Sequence, residues 1–124
     1  MDMKRRQVIV AGVAMAALPR AAQAKETAMY GLIGQFIAQP GQRDALSAIL
    51  VESLSDMPGC LSYVVAHDPD RAELIWITEV WIDRESHQAS LQLPQVQDAI
   101  SRARPLIAGF GSRNETVPVG GVGI

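Results

Sequence analysis

Apolar and polar positions change their spacing several times along this chain, and each change marks an element. Tyr30 to Ala38 (YGLIGQFIA) is apolar with a single polar interruption, Gln35, and predicts a first strand. Its two glycines, Gly31 and Gly34, mark a close approach by backbone or ligand. Gln39-Pro40-Gly41-Gln42 ends it. From Arg43 the spacing becomes helical, with Leu46, Ile49, Leu50, Leu54 and Met57 along one stripe, and Pro58-Gly59 ends the helix. Cys60 to His67 predicts a second strand, with Leu61, Tyr63, Val65 and His67 on one parity. Asp68-Pro69-Asp70-Arg71 has turn chemistry and makes a hairpin with the next strand, Leu74 to Ile82.

That third strand organises the chain. Ile75, Ile77, Glu79 and Trp81 share one face; Leu74, Trp76, Thr78 and Val80 share the other. Apolar residues on both faces place it in the middle of a sheet. Asp83 then caps a short helix through Leu91. Leu93-Pro94 restarts a helix with Val96, Ile100 and Ala103 on its apolar side, and Pro105 stops it. Leu106 to Val117 predicts a last strand or extended arm, interrupted by Gly109 and Gly111.

The order β-α-β-β-α-β predicts an α+β, ferredoxin-like domain: an antiparallel four-stranded sheet with its helices on one face. The other sheet face stays apolar, and left wet it would exceed the roughly 300–600 Å² patch of ordinary monomers. A two-fold homodimer, sheet against sheet, would cover it. Trp76 or Trp81, whichever parity points away from the helices, then belongs at the interface. The segment after Phe110 is expected to cross to the partner's sheet edge.

Composition changes this picture mainly at the ends. Of 124 residues, the first 24 read as a targeting segment rather than fold. Lys4-Arg5-Arg6 is a basic region, Val8 to Leu18 is apolar but too short to span a bilayer comfortably, and Ala22-Gln23-Ala24 is a small-x-small cleavage site. Adjacent Arg5-Arg6 followed by apolar residues resembles a twin-arginine export signal, which implies an exported, periplasmic protein with no stable membrane association after cleavage. The alternatives are an ordinary secretory signal or a retained anchor. Residues 25–117 form the single domain, and 118–124 is a glycine-rich tail. Loss of Lys4, Arg5, Arg6, Arg20 and Asp2 with the signal shifts the formal net charge from −2 to −5. An acidic domain without a basic stripe argues against nucleic acid as partner. One cysteine, Cys60, rules out an internal disulfide and a Cys-based zinc site. The sequence also lacks GxGxxG, a phosphate loop followed by Lys, metal-spaced histidines and G-x-S-x-G.

Pro58-Gly59-Cys60 before a tyrosine-bearing strand, Glu79-x-Trp81, Asp83-Arg84-Glu85-Ser86-His87, Leu93-Pro94 and Arg104-Pro105-Leu106 resemble the antibiotic biosynthesis monooxygenase domain family. The likeness runs from about Tyr30 to Val117. It implies a dimeric α+β barrel, and for several members oxygen insertion into electron-rich polycyclic phenols or quinols without metal or flavin. Trp81 matches the pocket tryptophan at the end of the third strand. The family's helix histidine, nine residues later, is Ser90 in this chain, and the nearby histidine is His87. Haem-degrading relatives carry an asparagine where this chain has Gly34, so a haem function loses its support.

The expected reaction is therefore a cofactor-independent monooxygenation of a quinol or other hydroxylated aromatic by O2. His87 is the candidate base and Trp81 the candidate stacking partner, or else a core tryptophan. Tyr63, Gln35 and Trp76 are candidate substrate-binding residues. His67 reads as a strand-end surface residue, and Glu79 as half of a structural pair with Arg102 or Arg104. A non-catalytic dimeric protein that binds aromatics or quinones is the alternative, motivated by Ser90. The export reading is tested directly: mass spectrometry of the periplasmic fraction should find a chain beginning at Lys25, and replacing Arg5 and Arg6 by lysine should hold the full-length chain in the cytoplasm. Full-length protein in the membrane fraction would make Val8 to Leu18 an anchor.

Overall fold

A computed structural model describes residues 28–124. The targeting segment and its cleavage site lie outside the described residues. Among the described residues no helix is long and apolar enough to cross a membrane. The elements are β1 (Tyr30–Ala38), α1 (Arg43–Glu52), β2 (Cys60–His67), β3 (Leu74–Trp81), α2 (Arg84–Ser90), α3 (Pro94–Ala103), a 3₁₀ turn (Arg104–Leu106) and β4 (Ile107–Thr116). All neighbouring strands are antiparallel in the order β2-β3-β1-β4. This is the ferredoxin-like plan expected, with β3 and β1 central.

Strand register decides which side chains meet. Tyr30 pairs with Trp81, Leu32 with Glu79, Gly34 with Ile77 and Phe36 with Ile75. On the other side of β3, Tyr63 pairs with Glu79 and Val65 with Ile77. These residues share one sheet face. The core confirms that the helices cover it: Ala38, Ile75 and Ile77 pack with Leu46 and Leu50 of α1 and Ala103 of α3. A second cluster, Tyr30, Leu32 and Trp81, gathers Met57, Cys60 and Tyr63 around it. Leu46 and Ile75 are fully buried. The opposite face carries Ile33, Gln35, Ile37, Trp76, Thr78, Val80 and Val64, and most of it is at least partly exposed. Trp76, not Trp81, is thus the tryptophan that points away from the helices.

Local chemistry explains the boundaries. Asp83 accepts the Ser86 N–H at 2.7 Å and caps α2, as expected. Leu93 bends the chain at its extended backbone, and Pro94 sits at the start of α3. Asp68 closes the hairpin by accepting the Asp70 and Arg71 N–H groups through Oδ1. Arg43 locks the start of α1 onto that hairpin, donating to the carbonyls of Asp68, Arg71 and Leu74. Gly59 has φ +82°, and a Cβ there would collide with Ser86, so glycine is required where the chain enters β2 beside α2. At Gly31 the expected close approach is real, because a side chain there would meet Thr116 and Pro118.

Three expectations need correction. The first helix ends at Glu52, not at Pro58. Ser53 turns its hydroxyl back onto the Leu50 carbonyl, and the following Leu54-Ser55-Asp56 run favours turns, with Asp56 at φ 54°. Leu54 and Met57 still face inward, but from a loop. The segment after Phe110 does not leave its own sheet: residues 113–116 pair with Gly31 to Gly34 of β1. The last element begins one residue late, because Pro105 draws Arg104–Leu106 into a 3₁₀ turn.

Candidate functional site

Between the covered face of the sheet and the helices lies a cavity of about 740 Å³. Leu32 and Phe36 of β1, Tyr63 of β2, Glu79 and Trp81 of β3 and Arg113 of β4 form its sheet side. Leu50, Leu54 and Met57 close one flank, His87, Ser90 and Leu91 another, and Val96, Ala99 and Ile100 a third. Its size is that of pockets for drug-sized ligands, and its walls are largely apolar. Phe110 and Arg113 are exposed and stand at its rim, with Phe110 edge-on to Phe36 at 5.3 Å between ring centroids.

The polar groups collect at one end. Trp81 is 1 % exposed, and its indole N–H donates to Glu79 Oε1 at 2.9 Å. Both residues point to the same side of β3 because they are two apart on a strand. His87 lies one helical turn into α2 and faces inward, its Nε2 3.8 Å from the same Glu79 oxygen. Its ring lies between those of Tyr30 and Trp81, at centroid distances of 5.2 and 5.6 Å. Ser90, three residues on, is buried and donates its hydroxyl to the His87 carbonyl at 2.6 Å. Outside His87, the Arg84 guanidinium lies over the Tyr30 ring and pairs with Glu115, which also accepts the Tyr30 O–H at 2.6 Å.

Burial tunes these groups in opposite directions. It raises the Glu79 carboxyl above its usual range, partly opposed by the Trp81 hydrogen bond and the nearby Arg113 charge. It lowers the His87 imidazole, helped by Arg113 and Arg84 and opposed by Glu115, so His87 is held neutral. The Tyr63 phenol is pushed up strongly by burial and by the Glu79 charge, so it keeps its proton.

The anticipated residues separate into two groups. Trp81, His87 and Tyr63 come together on the cavity. Trp76 does not: it lies on the opposite sheet face, where its indole N–H donates to Asp68 Oδ2 at 2.9 Å and braces the hairpin. Gln35 is also displaced from the role expected of it. Opposite it β4 has a bulge, and its side-chain carbonyl accepts the Ser112 N–H at 2.9 Å, filling the space above Gly111. It borders only a smaller neighbouring recess of about 220 Å³. Among the described residues Glu79 pairs with neither Arg104 nor Arg102; Arg102 instead reaches Asp98 and Glu52 on the outside of the helices. His67 is a strand-end residue as expected, contacting Ser47 Oγ through Nε2 at 2.6 Å. Cys60 is half-buried and free, its thiol pushed up by burial. Arg113 escaped the sequence reading because β4 is interrupted by glycines and its parity could not be followed through the bulge.

The antibiotic biosynthesis monooxygenase profile matches residues 29–102. The chain belongs to the antibiotic biosynthesis monooxygenase family. It is 69% identical to the protein of that family from Chloroflexus aurantiacus J-10-fl, over 77% of this chain and 98% of that one, with a TM-score of 0.76. A Caulobacter crescentus CB15 member, 14% identical over 82% of this chain and 99% of its own, superposes with a TM-score of 0.70. A Pseudomonas aeruginosa protein, 18% identical over 77% and 98%, gives 0.67. The latter two share the fold. A search of curated proteins finds no match. The structure puts Ser90 and His87 on the same inward side of α2.

The two shifts predict opposite pH effects on stability. The folded His87 pKa is below its unfolded value, so the unfolded chain binds more protons and wild-type stability falls as pH drops below about 6.5. The folded Glu79 pKa is above its unfolded value, so stability falls as pH rises from about 4.5. Calorimetric melting temperatures against pH should show His87→Gln losing the first slope and Glu79→Gln losing the second. Profiles parallel to wild type would contradict the burial of both groups.

Proposed function

We propose that this family member is a cofactor-independent monooxygenase that oxidises a quinol or other hydroxylated aromatic with O2. The observation that carries the reading is the cavity itself: an apolar chamber of about 740 Å³ with a neutral histidine, a buried carboxyl and a tyrosine at one end. His87 accepts the proton of the bound hydroxyl, for which its burial and neutral state suit it. The phenolate left behind is electron-rich enough to pass an electron to O2. Radical recombination then forms the carbon–oxygen bond, and the O–O bond breaks as water leaves. For a dihydroxyarene the products are a hydroxyquinone and one water. One oxygen atom enters the ring, the other becomes water, and both reducing electrons come from the substrate. Tyr63, which keeps its proton, donates to the ring oxygen, while Trp81 walls the site against water and holds Glu79.

Purified protein under air with a panel of quinols and naphthols should consume oxygen and yield products heavier by one oxygen after loss of two hydrogens. His87→Gln should lower the rate by roughly 10²–10⁴, the range for loss of a general base. Full activity in that variant would remove His87 from the reaction, and no uptake by wild type with any hydroxylated aromatic would overturn the monooxygenase reading.

The assembly belongs to the same proposal. Ile33, Trp76 and Val80 are only half-buried on the face away from the helices, and Ile37 and Val64 are exposed there. A second copy covers this face in a homodimer, in the exported, periplasmic form of the protein. Analytical ultracentrifugation at micromolar concentration should give the mass of two chains, and Trp76→Glu should shift it to one. A wild-type monomer would show that the face is covered in another way.

A further inference from the structure

The polar end of the cavity contains acceptors that the fold leaves without donors. Glu79 is 8 % exposed, and Trp81 satisfies only its Oε1; among the described residues no group donates to Oε2. His87 Nε2 has Glu79 Oε1 at 3.8 Å as its near polar neighbour, too far for a direct hydrogen bond. A buried carboxyl oxygen without a donor costs stability, and native proteins rarely leave one unmet. Glu79 and His87 both line the cavity, so a ligand can supply the donors.

Their spacing restricts which ligand does so. His87 Nε2 lies 3.8 Å from Oε1 of the same carboxyl that carries the unpartnered Oε2, so the imidazole and the carboxyl lie along one edge of any ring placed against them. Hydroxyls on adjacent ring carbons project side by side from one edge and reach both acceptors together. Hydroxyls at opposite ends of a ring point away from each other and reach only one. Both acceptors are also held in place before a ligand arrives. Trp81 fixes the carboxyl, and the Tyr30 and Trp81 rings flank the imidazole. Tyr63, paired with Glu79 across the sheet, stands beside them with a phenol that keeps its proton and can donate to a ligand oxygen. Beyond this end, Leu50, Leu54, Val96 and Ile100 offer apolar wall for the ring.

Resting on the aromatic-oxidising reading above, we infer that the Glu79–His87 pair recognises two adjacent hydroxyls on one ring, so the preferred ligand is a 1,2-dihydroxyarene rather than a 1,4-quinol. Glu79 is then a specificity-determining residue of the site. It anchors the second hydroxyl, while His87 takes the first. A monophenol satisfies one acceptor and leaves the other buried without a donor.

Isothermal titration calorimetry under argon, at about pH 8 where histidine is neutral, separates binding from turnover. The probes are 1,2-dihydroxynaphthalene, 1,4-dihydroxynaphthalene and 1-naphthol. Wild type should bind the 1,2-isomer about tenfold or more tightly than the other two, since one charge-assisted hydrogen bond distinguishes them. Glu79→Gln should lose that preference while keeping its affinity for 1-naphthol, with circular dichroism showing an unchanged fold. If Glu79→Gln does not fold, His87→Gln carries the same comparison and should lose the preference too. Equal affinities in wild type, or a preference that persists in the folded variant, would overturn the inference. A clear 1,2-preference without oxygen uptake would remove the reaction and leave the recognition standing; oxygen uptake without any preference would do the reverse.

Discussion

A carboxyl group in the middle of an apolar sheet face must be held by something, and Glu79 is held by one indole N–H. Glu79 and Trp81 are two apart on a central strand, so they share a face by the geometry of the strand alone. That one hydrogen bond ties the largest buried side chain of the domain to its buried acid. It also fixes where the imidazole of His87 can approach, because Trp81 forms one wall of the slot that the ring occupies. The strand with its apolar faces thus supports both the core and the polar end of the cavity.

The helical side of the site follows from capping and spacing. Asp83 starts α2 at a defined residue, which sets His87, Ser90 and Leu91 on its inward side. The imidazole at this end of the cavity comes from His87, one turn before Ser90. Ser90 itself is turned back onto the His87 carbonyl, so its small side chain leaves room beside the ring. The rim residue Arg113 adds positive charge from β4 that disfavours a second charge on His87 and favours one on Glu79. One acid raised and one base lowered in the same enclosure are suited to exchanging a proton with a ligand.

Packing divides the sheet into two environments. The helix-facing side is completed within one chain by Leu46, Leu50 and Ala103. The other side has Trp76 bracing the hairpin through Asp68, with half-buried aliphatic neighbours around it. The two tryptophans of the chain therefore do unrelated things, although they are five residues apart on one strand.

The element order, the three strands up to Trp81, the Asp83 cap and the Pro94 start were all legible from spacing, because each depends on residues within a few positions of one another. So was the pairing of a carboxyl and an indole on one face of β3. The family too was readable from local motifs. Other features needed the folded chain. Which face of β3 turns to the helices depends on the parity of α1 and α3 against it, and this sent Trp76 outward and Trp81 inward. Gln35 lies at a bulge created by β4, 77 residues away along the chain, so its role as a backbone acceptor could not be read locally. The end of α1 at Glu52 turned on the Ser53 hydroxyl folding back onto the Leu50 carbonyl against an otherwise continuous apolar stripe. Glu79 meets His87 rather than an arginine because α2 packs over the end of β3. A helix-to-strand distance of that kind is a property of tertiary packing, and sequence spacing alone does not contain it.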